Sequence, residues 1–337
     1  MTTPLLAVED LRVSYRTSAG IVRAVDGVSF AVARGETIGL VGESGCGKTT
    51  VGRAIVKVLP PSARIDSGTV RLDGRDLVPL DESDMRAVRW QQIALVPQSA
   101  MNALNPVLRV GRQIEEVLVA HEGVTRSEAR TRARDLFSLV RIDPARTEDY
   151  PHQFSGGMRQ RALVAMALAL GPSLLIADEP TTALDVVTQD RIFVKVRQLQ
   201  RQLSASMLLI THDMGLVAEN CDRVAVMYAG QIVESADTRQ LFRAPAHPYT
   251  LGLKNAFPSV MRPREEALIA IPGSPVSLLA APPGCRFEAR CPFATSVCRD
   301  ETPPHVELEP GHHAACHHVD RADEMRRRAQ ESATWAL

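Results

Sequence analysis

Two rhythms of apolar residues alternate along this chain. Early stretches, LLAVEDLRVSY and then VRAVDGVSFAV, predict short strands leading into a turn that contains Gly35. ETIGLV follows, a run rich enough in branched residues to be a buried strand, and VGRAIVKVL then has helical spacing at Val51, Ile55, Val56 and Leu59. SGTVRLDGRDL predicts a hairpin turning at Asp73-Gly74, and RWQQIALVPQS predicts a strand ending near Gln98. Between Ser99 and Gln153 the pattern changes. RQIEEVLVAHEG and RSEARTRARDLFSLVRI are charged, poor in branched residues and helical in period, which predicts a helical insertion of roughly fifty residues. From Ser155 the alternation returns: a helix to Leu170, strand SLLIAD, a helix to about Leu203, strand SMLLIT, helix MGLVAENC and strand RVAVMYAG. After about Ser235, prolines at Pro245, Pro248, Pro272, Pro275, Pro282 and Pro283 predict extended linkage rather than packed sheet. The chain has no internal repeat and no low-complexity tract.

The junction between the buried strand and its helix carries the first chemistry. Gly42, Glu43, Ser44, Gly45, Cys46, Gly47, Lys48 and Thr49 read G-E-S-G-C-G-K-T, the eight-position phosphate-loop pattern, and Thr50 follows. Glycines let backbone N–H groups close around phosphate oxygens, and the helix start adds its positive dipole end. In this setting Lys48 reaches the β- and γ-phosphates and the Thr49 hydroxyl binds Mg²⁺. A strand before and a helix after are the context the motif requires, so the loop predicts a nucleotide triphosphate site.

Three further stretches narrow the chemistry. SLLIADEPTTALD places Asp178 and Glu179 at the end of a buried strand, where alternation points neighbours to opposite sides. Asp178 is thereby expected to face a Mg²⁺ shell and Glu179 to take a proton from the attacking water. HQFSGGMRQR sets Ser155, Gly156 and Gly157 at a helix start, a second anion site. ITHD puts His212 directly after an apolar strand. Alone, these are an acidic strand end, an N-cap and a polar strand terminus; in a chain with a phosphate loop they favour the functional reading over the plain one.

Composition limits the function classes. The chain has 337 residues, 45% hydrophobic and 23% charged, which suits one large or two ordinary soluble domains. Its formal net charge is zero, so wholesale nucleic-acid or membrane-surface binding is not expected. MTTPLLAVED has neither a basic flank nor a long apolar core, so no signal peptide is expected. The most apolar stretch, LVAMALALGPSLLIA, is broken by Gly171-Pro172 and is too short and interrupted to span a membrane.

Taken in order, the loop at 42–49, Gln98 at a strand end, FSGGM at 154–158, the acidic pair at 178–179, ALD at 183–185 and His212 resemble an ATP-binding cassette (ABC) ATPase of a membrane transporter. The resemblance covers roughly residues 5 to 235 and sharpens to the oligopeptide/dipeptide and nickel importer group through ALNP, ADEPTTALDV, THDMGLVAE, MYAGQIVE and APAHPYT. It implies an α/β fold of the P-loop NTPase (RecA-like) type: an ABC nucleotide-binding domain with an antiparallel β subdomain, an α-helical subdomain at about 99–158 and a small cysteine-containing extension. The implied division is 1–235 for the nucleotide-binding domain and 236–337 for the extension. Further implications follow residue by residue. Tyr15 stacks on adenine. Gln98 touches Mg²⁺ or the water and reports to the membrane subunits. Glu179 is the general base, His212 contacts the γ-phosphate, and Asp185 crosses the interface of two cassettes stacked head to tail. Each ATP lies between one chain's phosphate loop and the other's Ser155-Gly156-Gly157 signature. The partners implied are a second ATPase subunit, copy or paralogue, two integral permease subunits and an extracytoplasmic solute-binding protein, with the chain peripheral on the cytoplasmic face of the membrane. One departure is Ser99-Ala100 after Gln98, where relatives often have an acidic residue and a proline; that loop meets the permease. The rival is a soluble family member acting on ribosomes or DNA. Such proteins usually carry two cassettes or a long coiled coil, and neither pattern is present in this sequence.

Four of the six cysteines, Cys285, Cys291, Cys298 and Cys316, crowd into one tail beside His312, His313, His317 and His318. The gaps are unlike C-x₂-C zinc modules or a ferredoxin run, yet four thiolates suit a cluster or zinc, and reduced thiols remain the plain alternative. The tail is similar to the C-terminal extension of peptide-importer ATPases, which implies a [4Fe–4S] cluster at these four cysteines. Cys46 and Cys221 are not expected to be ligands.

Overall fold

The computed structural model describes residues 3–98, 103–180, 193, 197, 205–256 and 269–336. In chain order the strands and helices that position the site begin with β1 (Leu6–Thr17), β2 (Gly20–Val32) and β3 (Thr37–Val41). Then come α1 (Lys48–Ile55), β4 (Ala63–Leu72), β5 (Arg75–Asp76), α2 (Glu82–Val88) and β6 (Ile93–Val96). The helical insertion holds α3 (Val110–Glu122) and α4 (Arg126–Leu139), followed by α5 (Gly156–Ala167) and β7 (Leu174–Asp178). After β8 (Ser206–Thr211) come α6 (Met214–Asn220), β9 (Arg223–Tyr228), β10 (Gln231–Asp237), α7 (Thr238–Arg243) and α8 (Pro248–Ala256). The last elements are α9 (Ser296–Asp300), β11 (His305–Glu309), β12 (His312–Ala315) and α10 (Ala322–Arg328). The contacts divide the chain into two compact units, one of Leu6–Ala31, Thr37–Val78 and Ile210–Leu337, the other of Met1–Leu5, Val32–Glu36 and Pro79–Leu209.

The first unit carries an antiparallel sheet in the order β2-β1-β4-β5. Its register runs from Leu6 opposite Leu72 to Tyr15 opposite Ala63, with a bulge at Glu9–Arg12 where Asp10 has φ 43°. Gly68 faces this bulge because a Cβ there would lie 2.7 Å from Leu11 Cα. The Asp73-Gly74 turn falls where the sequence predicts it: both residues have positive φ, 49° and 80°, and Leu72 pairs with Arg75. In the same unit β3 lies parallel to β9, β9 antiparallel to β10, and β10 antiparallel to β12. All five residues of β3 are buried.

This last pairing revises the expectation for the proline-rich tail. Pro248 begins α8, a position where a missing N–H costs nothing, and β12 adds to the sheet at Glu234 and Ser235. Glu234 anchors that junction. It is fully buried and accepts from the Ala246 and His247 amides at 2.7 and 2.9 Å, and its Oε1 lies 2.8 Å from His312 Nε2. The proline signal was real, but buried carboxylate bonding, invisible to a local reading, organises the segments between prolines.

In the second unit β6 lies parallel to β7, with Ile93 opposite Leu174 and Val96 opposite Ala177. The insertion is helical as expected. α3 ends on Gly123 in the left-handed conformation, and the Thr125 hydroxyl caps α4 by accepting from the Glu128 amide at 3.3 Å. Phe137 of α4 meets Phe154 edge to face at 6.1 Å between centroids, so the helical layer is packed against the segment that leads into α5.

Candidate nucleotide site

β3 delivers the glycine loop and α1 leaves it. Gly42, Gly45 and Gly47 all have positive φ, 154°, 82° and 109°. At Gly47 a Cβ would collide with the Ala24 carbonyl oxygen, so no side chain fits at that position. Lys48 is 4% exposed, and its ammonium donates to the Gly42 and Glu43 carbonyls at 2.7 and 2.9 Å. A buried cation surrounded by carbonyls at a helix start, with no side-chain cap on Gly47, is a donor set built for anionic oxygens. Ser44 and Gly45 are exposed, Thr49 is half-buried, and Thr50 is buried with its hydroxyl 3.2 Å from the Tyr15 hydroxyl. Tyr15, half-buried at the end of β1, thus stands beside the start of α1. Cys46 is buried beside Lys48, and burial pushes its thiol up. These residues fit a magnesium nucleotide.

His212 follows β8 and is exposed; the next residue, Asp213, caps α6 by accepting from the Leu216 amide at 3.1 Å. In the second unit Asp178 ends β7 at 3% exposure, and Glu179 follows at 9% with φ 46°. Gln98, just beyond β6, donates from Nε2 to Glu179 Oε2 at 2.9 Å, so the parallel pairing of β6 and β7 brings these two predicted residues together. Ser155 caps α5, its hydroxyl accepting from Met158 N–H at 3.3 Å, and Gly156 and Gly157 form the first helical positions. Asp185 and the Ser99-Ala100 departure lie outside the described residues.

The cysteine expectation is corrected. Among the described residues no group of three or more His, Cys, Asp or Glu is arranged to hold a metal ion, so a [4Fe–4S] cluster or zinc at Cys285, Cys291, Cys298 and Cys316 is not supported. Cys298 and Cys316 are buried, and among the described residues no cysteine forms a disulfide. Burial pushes the Cys316 thiol up to about 12 and the Cys285 and Cys291 thiols upward too, which favours neutral S–H groups packed as small apolar side chains. Spacing alone could not distinguish ligands from this packing.

Sequence reasoning missed the residues that surround Glu43. Arg290 forks onto its carboxylate at 2.7 and 2.9 Å, and the Tyr249 hydroxyl accepts from its amide at 2.8 Å. Arg286 reaches the Ala229 carbonyl and Asp26, while the Gly230 amide donates to the Cys46 carbonyl at 2.8 Å. The available signal was an acidic residue inside a phosphate loop, which needs a cation.

Comparisons with known proteins agree with this geometry. The ABC transporter family model matches residues 25–182, and the model for the oligopeptide/dipeptide transporter C-terminal region matches residues 233–298. The chain is 49% identical over 93% of its length to the probable peptide ABC transporter ATP-binding protein y4tR of Sinorhizobium fredii, covering 94% of that protein. It is 46% identical over 92% of its length to the oligopeptide transport ATP-binding protein OppD of Bacillus subtilis, covering 88% of it. Among solved structures, the dimeric post-hydrolysis ATP-binding cassette MJ0796 bound to ADP and Pi aligns with a TM-score of 0.65 at 25% identity, over 69% of this chain and 99% of that one. A phosphate loop on a parallel strand, a helical insertion and the matched C-terminal region place the chain among the ABC transporter ATP-binding subunits, in their oligopeptide/dipeptide branch.

Proposed function

We propose that this chain is the ATP-hydrolysing subunit of an importer of peptides, acting through partner permeases. The carrying observation is the buried Lys48 ammonium held among the carbonyls of a glycine loop at the start of α1. When ATP is bound, Lys48 exchanges those carbonyls for phosphate oxygens, and the α1 N–H groups receive the β-phosphate. Thr49 and Asp178 would hold the magnesium ion, with Gln98 beside them; the ion's contribution is to screen phosphate charge. Tyr15 supports the adenine. Glu179 takes the proton from water, Gln98 orients it, and His212 donates to the γ-phosphate. Ser155, Gly156 and Gly157 present the second anion site to a nucleotide carried by another cassette, and Asp185 lies at that junction.

Residues 1–235 act as the nucleotide-binding domain and 236–337 as its extension. The partners are a second ATPase subunit, two permeases and, through them, a solute-binding protein, with this chain peripheral on the cytoplasmic face. Among the described residues no helix is long and apolar enough to cross a membrane, in keeping with a separate membrane subunit. The test is phosphate release and labelled-peptide uptake in vesicles containing the whole transporter. Lys48→Ala should abolish both. Uptake that persists with Lys48→Ala, or recovery of the protein with ribosomes instead of membrane subunits, would overturn this assignment.

A further inference from the structure

Glu43 introduces a negative charge into the loop that receives a triphosphate. In water-accessible protein surroundings two like charges within several ångströms repel by an amount worth about tenfold in affinity or more. Each polar group of this residue is engaged. Its carbonyl accepts from Lys48 at 2.9 Å, its N–H donates to the Tyr249 hydroxyl at 2.8 Å, and both carboxylate oxygens meet the Arg290 fork at 2.7 and 2.9 Å. Two of those three partners belong to the C-terminal extension, more than two hundred residues away in sequence.

Arg290 is itself fixed from several sides. It is 5% exposed, its Nε donates to the Pro272 carbonyl at 2.8 Å, and Nη1 lies 3.4 Å from the Tyr228 hydroxyl. Its guanidinium carbon sits 5.8 Å from the Tyr228 ring and 5.9 Å from the Phe287 ring. Tyr228, Tyr249 and Phe287 form one aromatic cluster, with the two tyrosine centroids 4.6 Å apart. A forked donor held this firmly keeps a carboxylate in one place and cancels its charge at once.

We propose that Arg290 is a positioning residue for the nucleotide: the extension clamps the phosphate loop through Glu43 and neutralises its carboxylate, so that the loop accepts a triphosphate. This rests on the reading of the loop as the ATP site.

The test measures affinity of the full chain for Mg·ATP and for ADP, for wild type, Arg290→Ala, Arg290→Lys, Glu43→Gln and the double variant Glu43→Gln/Arg290→Ala. Arg290→Ala should weaken ATP about tenfold or more and ADP less, because the repulsion grows with phosphate charge. Arg290→Lys, which keeps the charge but loses the fork, should fall between and covers the case in which the alanine variant does not fold. In the Glu43→Gln background, removing Arg290 should weaken ATP clearly less than in the wild-type background, since only the cation's own pull on the phosphates is lost and no carboxylate is released beside them. Equal weakening of ATP and ADP, or the same loss in the Glu43→Gln background, would reduce Arg290 to general packing and overturn the proposal. Unchanged ATP affinity in both Arg290 variants would do so as well. A wild type that binds neither nucleotide would overturn the reading of the loop itself, and the clamp with it.

Discussion

Glu179 sits in the left-handed backbone region at φ 46°, between the last residue of β7 and Pro180. A non-glycine residue there costs about 1–3 kcal/mol, and the proline that follows bars the ordinary helical conformation. In this conformation its carboxylate accepts from the Gln98 amide at 2.9 Å. Replacing Glu179 by glutamine preserves shape and backbone but removes the carboxylate proposed to accept the proton. Hydrolysis should fall by roughly a hundredfold or more while ATP binding persists, as read by phosphate release beside a binding titration. Turnover within a factor of a few of wild type would remove Glu179 from the role of base. The placement of Asp178 and Glu179 at the end of a buried strand was legible, because the apolar run SLLIA leads straight into them. The conformation of Glu179 was not, since that depends on where β6 carries Gln98.

At the scale of elements, β10 is the strand on which the extension is assembled. Glu234 is 0% exposed and serves two backbone amides and His312 at once. Glu234→Ala leaves three buried donors without an acceptor and should cost about 3–5 kcal/mol, measured by urea unfolding. Glu234→Gln, which keeps an acceptor oxygen, should cost less. A loss under about 1 kcal/mol for the alanine variant would mean the junction relaxes around the gap. The loop, α1 and the insertion were legible because glycine spacing and helical period are local signals. The hairpin β11–β12 and Arg290 were not: HVELE and GHHAA have little pattern of their own, and the cysteines on either side of Arg290 drew attention to metal chemistry. Pairing partners far away in sequence decide both.

For the whole molecule, acid stability has an identifiable source. His247 is 1% exposed, and burial pushes its pKa down to about 4, a neighbouring Glu234 only partly opposing this. The unfolded chain takes up that proton near pH 6.5 and the folded one does not until about pH 4. Stability is therefore complete above pH 6.5 and declines as pH falls toward 4, by about 2 kcal/mol at pH 5 from this residue alone. His247→Asn, which keeps an acceptor for the Tyr249 amide, should flatten the difference between urea midpoints at pH 7 and pH 5; equal slopes in both proteins would show that the imidazole does not set it.

The hairpin that closes β10 has a consequence for how the protein behaves in a crowded solution. β10 bonds β9 along one side and four-residue β12 along the other, and the outermost strand, β11, places Glu307 and Glu309 on an alternating, mostly exposed edge. Short strands and charged side chains make poor templates for another chain to join. A polypeptide ending at Asp300 would bare the hydrogen-bonding side of β10, whose Ile232, Val233 and Ala236 are apolar. Such a shortened protein should self-associate through strand addition, visible as light scattering that rises with concentration, while the full chain stays dispersed.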